Sequence, residues 1–158
     1  MRKLAILILC FIGSALVTAH SQIHFESSAY EKARAKATRL NRQLFTYFYT
    51  DWCAPCKQIP GIVFADSLIR ACIDSQYVCL KFNAEKGQGL ALARKYKVDR
   101  FPTFLFLDAK GREIGRIEGT RSNEDYLTAI RSSGRIDPVR DQREHKQRAV
   151  QDTNRPNP

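Results

Sequence analysis

Apolar positions in this chain change period as the sequence proceeds, and the changes mark out elements. Ser28-Ala29-Tyr30-Glu31 has the form of a capping box, in which a hydroxyl and a carboxylate each bond the other residue's amide; helical spacing follows to about Arg42. Residues 43–49, QLFTYFY, are a short run rich in aromatic and β-branched types that predicts a buried strand. From Ala54 to about Ile73 the apolar residues Ile59, Ile62, Val63, Leu68 and Ile69 recur at helical intervals. Pro60 has no N–H to offer and is expected to kink that helix or start it afresh. Residues 77–83, YVCLKFN, predict a second strand, 88–96, QGLALARKY, a helix, and 101–107, FPTFLFL, a third strand headed by proline. After the turn Asp108-Ala109-Lys110-Gly111, residues 113–118 return as a fourth strand. Ser122-Asn123-Glu124-Asp125 opens a last helix with carboxylates in its first turn, where the helix dipole favours them.

The resulting order, α, β, α, β, α, β, β, α, belongs to the α/β class. Strands separated by helices require crossovers and parallel pairing, and the late hairpin adds an antiparallel pair. The expected product is one central mixed β-sheet flanked by helices on both faces. The ends of the chain stand outside this pattern. Arg2 and Lys3 precede the uncharged apolar run LAILILCFIGSALV at 4–17, and small residues follow, which together read as a signal peptide over 1–19, cleaved after Ala19 or Ser21. The run is short of the roughly 20 residues that a membrane-spanning helix needs. An uncleaved anchor is the alternative; a lipid on Cys10 is disfavoured by the bulky Leu9 before it. Residues 135–158 carry both charge signs, few large apolar side chains and terminal prolines, and are expected to be a disordered tail, with partner binding as the other reading.

Composition narrows the function. The 158 residues suffice for one domain with a real core. Of 26 Lys and Arg against 16 Asp and Glu, removal of Arg2 and Lys3 leaves a net charge of +8, scattered along the chain. No basic block with interleaved aromatics occurs, so a nucleic-acid partner is not expected. Loss of the leader also removes one of the 5 cysteines and leaves Cys53, Cys56, Cys72 and Cys79, an even number that an oxidising compartment would allow to pair.

The stretch DWCAPCKQIP at 51–60 holds the sharpest chemistry. A strand delivers the chain to Trp52 and a helix begins at or just after Cys53. Backbone N–H groups in a first helical turn lack partners and the dipole is positive there, so a thiolate is favoured; cysteines so placed have pKa values of roughly 3.5–7.5. Pro55 suits that first turn and stiffens the pair. Cys53, expected to be the more exposed sulfur, reads as the attacking nucleophile, and Cys56, one step deeper, as the resolving thiol. Lys57 adds a positive charge nearby or is an ordinary solvated residue. Pro102 heads a strand awkwardly, since it donates nothing to the ladder. A cis peptide before it would suit a loop pressed against another site, although spacing alone favours a trans proline on an edge strand.

Trp52-Cys53-Ala54-Pro55-Cys56-Lys57, the aromatic strand before it, Phe101-Pro102-Thr103 some way downstream and Gly119 after the last strand together resemble the thioredoxin family, over about residues 26–132. The resemblance implies a thioredoxin fold and an exported thiol–disulfide oxidoreductase. It implies a cis Pro102 facing the cysteines, Phe101 backbone pairing with an extended substrate segment, and Trp52, Pro55 and Gly119 bordering the substrate groove. No cofactor beyond the Cys53–Cys56 disulfide itself is expected, and no metal. Partners would be cysteine-containing protein substrates and an external thiol electron donor such as a membrane reductase, with the protein itself a monomer in the periplasm or outside the cell.

The sequence departs from that family where many members bury an aspartate, six positions before the nucleophile; here the residue is Tyr47. Tyr47, Lys81, Glu85 or water would have to move the proton of Cys56. Asp51, beside Trp52, reads as a surface residue. Cys72 and Cys79 lie outside the motif and form a structural disulfide, two buried thiols or a second redox pair. A four-thiolate zinc site is disfavoured by the strand-to-helix setting of the first pair. Ala-Pro between the cysteines is close to the Gly-Pro of reducing thioredoxins, which favours a reductase; oxidase, isomerase and a redox-silent binding or chaperone module are the alternatives.

Overall fold

The computed structural model describes residues 22–133. The leader over 1–19, Cys10, the tail over 135–158, His20 and His145 lie outside the described residues. The elements are α1 (Tyr30–Leu40), β1 (Gln43–Tyr49), α2 (Ala54–Ile62), α3 (Ser67–Gln76), β2 (Tyr77–Asn83), α4 (Gly87–Lys95), β3 (Thr103–Leu107), β4 (Glu113–Glu118) and α5 (Asn123–Ser133). They form a mixed sheet in the order β2-β1-β3-β4. β1 pairs parallel with β2 and antiparallel with β3, and β3 pairs antiparallel with β4.

Alternation along the two central strands sorts the core into two layers. Phe45 and Tyr47 of β1 and Phe104 and Phe106 of β3 point to one face, where Ile59, Val63, Ile69, Ile73, Tyr126 and Ile130 of α2, α3, α5 and the segment between α2 and α3 cover them. Leu44 and Phe48 of β1 and Leu105 and Leu107 of β3 point to the other, under Tyr30, Ala33, Ala37, Leu92 and Ala93 of α1 and α4. Both faces are covered, which is why QLFTYFY reads as a near-continuous apolar run rather than an alternation.

Three local expectations are corrected. The capping box at Ser28–Glu31 does not form: Ala29 is the N-cap with no side-chain bond, and Gln88 of α4 instead accepts from the Tyr30 amide at 2.8 Å. A reciprocal box of that kind opens the last helix, where Ser122 Oγ accepts from Asp125 N–H and the Asp125 carboxylate accepts from Ser122 N–H and O–H. The helical stretch from Ala54 to Ile73, expected to kink or restart at Pro60, is two helices that break after Pro60 instead. α2 runs through Pro60 to Ile62, and α3 starts where the Asp66 carboxylate accepts from the amides of Leu68 and Ile69 at 2.9 and 3.0 Å. β3 begins at Thr103, two residues after the expected start, because the Phe101–Pro102 turn precedes the ladder.

Cys72 and Cys79 are not bonded to each other. Cys79 sits in β2 opposite Phe45, with its carbonyl accepting from Glu26 N–H at 2.8 Å, and Cys72 packs half-buried against the aromatic layer. Both stand as small apolar thiols, Cys79 buried and Cys72 half-buried. Burial, helped by the charges of Asp74 and Glu26, pushes the Cys79 thiol up to about 12 from its ordinary 9.0. Below about 9 the thiol is neutral whether folded or unfolded and its contribution to stability is complete; between 9 and 12 only the unfolded thiol ionises, so that contribution declines. Iodoacetamide applied to the native oxidised protein near pH 8 should alkylate Cys72 well before Cys79, as read by peptide mass spectrometry. Equal labelling of the two would contradict the packing described.

Candidate active site

β1 ends at Tyr49, and a turn through Thr50, Asp51 and Trp52 brings the chain to Cys53, the N-cap of α2. Pro55 lies in the first helical turn, where an N–H would have no intrahelical acceptor. Cys53 and Cys56 are joined by a disulfide, their Cα atoms 5.3 Å apart. The Cys56 N–H donates to Cys53 Sγ at 3.2 Å. An amide at the positive end of the helix thus points at Cys53, an arrangement that favours its thiolate once the bond is reduced.

Cys53 and Cys56 are both buried, 2% and 5% exposed as whole residues. Both belong to the aromatic layer of the core. In the bonded state the Cys56 amide, aimed at Cys53 Sγ, distinguishes the two.

Residues 101 and 102 and Gly119 come together beside this turn. The Phe101–Pro102 peptide is cis, Pro102 is buried, and its carbonyl accepts from Gly119 N–H at 2.7 Å. Gly119 has φ +72°, and a Cβ there would meet only Arg121 Nη1 at 3.9 Å, so backbone conformation rather than space calls for glycine. The Phe101 ring meets Trp52 edge-on, with centroids 5.9 Å apart, and so ties the two loops.

Trp52 is 66% exposed, yet it is not free to swing. Its indole N–H donates to Glu85 at 2.8 Å, and Glu85 N–H donates to Asn83 Oδ1 at 2.9 Å. Asn83 Nδ2 and Lys86 Nζ in turn donate to the Asp51 carboxylate at 2.9 and 2.5 Å. The Lys86 hydrogen bond, the Asn83 bond and the charges of Lys86 and Lys57 hold the Asp51 carboxyl below its usual range. Glu85, a candidate proton carrier for Cys56, is a hydrogen-bond partner of Trp52. Asp51 and Lys86 are far apart in sequence, and no spacing signal could have paired them.

Behind the cysteines, Tyr47 is 1% exposed and its hydroxyl donates to the Cys56 carbonyl at 3.0 Å. Burial, with the nearby Tyr126 and Tyr49 hydroxyls, pushes its ionisation far up, so it stays a neutral phenol. Lys81 is exposed, its ammonium over the Tyr49 ring at 4.7 Å and farther from Tyr47 at 6.0 Å. Lys57 is exposed on α2. Among the described residues no three His, Cys, Asp or Glu side chains gather in a way that could hold a metal ion, and no helix is long and apolar enough to cross a membrane.

Residues 30–133 match the family model of a thioredoxin-like domain. The chain is 28% identical over 106 residues to the thiol:disulfide interchange protein DsbD of Ralstonia nicotianae, covering 66% of this chain and 17% of that protein. Identity with the protein of the same name from Salmonella paratyphi A is 31% over 101 residues, or 63% of this chain and 18% of that one. The chain therefore spans less than a fifth of the length of these curated relatives. A thioredoxin from Thermus thermophilus superimposes with a TM-score of 0.60 at 30% identity, over 65% of this chain and 82% of that one. The oxidised C-terminal domain of Neisseria meningitidis DsbD shares the fold, at a TM-score of 0.57 and 16% identity over 70% of this chain and 98% of that one.

Proposed function

This chain belongs to the thioredoxin-like family of thiol–disulfide oxidoreductases, and from that premise we propose that it is exported and reduces disulfides in cell-envelope proteins by cycling Cys53 and Cys56 between dithiol and disulfide. The observation that carries the proposal is the Cys53–Cys56 disulfide at a helix start, with the Cys56 amide aimed at Cys53 Sγ. Cys53 thiolate attacks a substrate disulfide, forming a mixed disulfide and releasing one substrate thiolate, which takes a proton from water. Cys56 thiolate then attacks Cys53 Sγ, the mixed bond breaks, and the second substrate thiolate leaves. Two electrons have passed to the substrate, and an external dithiol donor restores the pair.

Trp52, Pro55, Phe101, Pro102 and Gly119 border the substrate groove in this reading. The tie from Pro102 O to Gly119 N–H supports a preformed groove wall, and the Glu85 bond to Trp52 supports a fixed rim. No other cofactor is required by this chemistry. Export rests on the leader read from residues 1–19.

A Cys56→Ser variant expressed in cells should accumulate mixed disulfides with envelope proteins, separable on non-reducing gels and absent from the Cys53→Ser/Cys56→Ser double variant. Absence of any thiol-sensitive adduct would contradict the proposal. The potential of the pair decides the direction: a value near the roughly −270 mV of reducing thioredoxins supports a reductase, and one near about −120 mV an oxidase.

A further inference from the structure

We propose that Tyr47 is a positioning residue for the resolving cysteine, its hydroxyl supplying the hydrogen bond to the Cys56 carbonyl that Pro60 takes away from the helix. This inference rests on the oxidoreductase reading above. In an α-helix each carbonyl accepts from the N–H four residues on. For Cys56 that residue is Pro60, which has no N–H, yet α2 continues through it to Ile62. The Cys56 carbonyl thus lies in the core without its regular helical donor. The Tyr47 hydroxyl reaches it from β1 at 3.0 Å, in a buried setting.

The donor is held firmly. The Tyr47 ring stacks on Phe104 with centroids 4.9 Å apart at 13°, and meets Phe64 edge-on at 5.6 Å. Burial keeps the phenol neutral, so it can donate at any pH at which the protein functions. Its one proton is committed to the carbonyl and does not serve the Cys56 sulfur. A chain with no aspartate at position 47 therefore uses that position to fix the backbone of the resolving cysteine rather than to carry its proton. The step that depends on this is the second one, in which Cys56 sulfur must line up with Cys53 Sγ as the substrate thiolate departs. Leaving a buried carbonyl unpaired costs enough to shift the first turn of α2 and spoil that alignment.

The test measures the two steps separately. Reduced full-chain protein is mixed with glutathione disulfide and quenched with acid at intervals. Mass spectrometry of the Cys53 peptide then gives both the formation of its glutathione adduct and its clearance. Tyr47→Phe should leave formation within about twofold of wild type and slow clearance roughly five- to tenfold, the worth of one buried hydrogen bond. Pro60→Ala returns an N–H to position 60. In that background Tyr47→Phe should slow clearance less than about twofold. Equal slowing in both backgrounds, or none in the wild-type background, overturns the proposal. If Cys56→Ser protein, which cannot clear the adduct, forms none at Cys53 at all, the oxidoreductase reading itself fails, and that outcome is distinct from the other two.

Discussion

Replacing Cys53 with serine should abolish the reduction of insulin disulfides by dithiothreitol above the uncatalysed rate, a loss of about a thousandfold or more. A serine hydroxyl is not ionised under conditions in which a thiolate is, and an oxygen nucleophile does not form the exchangeable bond to sulfur that the cycle needs. The substitution is nearly isosteric at a site only 2% exposed, so packing around it should survive. The serine hydroxyl can still accept the Cys56 N–H that Cys53 Sγ accepts now. Far-ultraviolet circular dichroism should therefore match wild type while turnover disappears. Retention of a tenth or more of the wild-type rate would place the nucleophile elsewhere. Equal inactivity of both proteins would favour the redox-silent binding module.

Phe104→Ala should lower the stability of the domain by about 3–5 kcal/mol, a large part of the roughly 5–15 kcal/mol that holds a typical domain together. Phe104 is fully buried and stands at the junction of the aromatic layer. It stacks on Tyr47 and on Phe45, with centroids 4.9 and 5.6 Å away, and meets Tyr126 edge-on at 5.2 Å. In the ladder it lies opposite Tyr47 on one side and Ile117 on the other. Removing the ring empties a volume enclosed by rigid neighbours on β1 and α5, which cannot close over it. The midpoint of urea unfolding should fall with the slope unchanged. The same variant should clear glutathione from Cys53 more slowly, because Tyr47 loses the surface that aims its hydroxyl. A stability loss below about 1 kcal/mol would show that the layer repacks freely, and the ring would not then be its centre.

Much of the architecture was legible before any coordinates. QLFTYFY, YVCLKFN and residues 113–118 became β1, β2 and β4 with the boundaries expected of them. Their signals are strong because a strand in a covered sheet needs a short, dense block of aromatic and branched side chains, and nothing else in a chain looks like that. Cys53 and Cys56 were legible for a related reason. Two intervening residues at a strand-to-helix junction bring the sulfurs together by local geometry alone. Helix boundaries were less secure. The stretch from Ala54 to Ile73 keeps helical spacing across the break at 63–66, so periodicity could not reveal that Asp66 restarts the helix there. The box at Ser28–Glu31 had the right residue types, but the helix starts one residue later, with Ala29 at its N-cap, so Ser28 stands outside the cap position.

What the amino-acid sequence determined by itself is what neighbours along the chain decide: the order of elements, the paired sulfurs, and a proline four residues past Cys56. Tertiary structure alone decided which distant groups meet. It set the Tyr47 hydroxyl on the Cys56 carbonyl, Glu85 on Trp52, and Gly119 against Pro102, and it kept Cys72 and Cys79 unjoined. Short-range order follows from backbone sterics and side-chain period, which any window of sequence displays. A hydrogen bond between strands and loops depends on distances of a few tenths of an ångström, and only the packing of the whole core sets those.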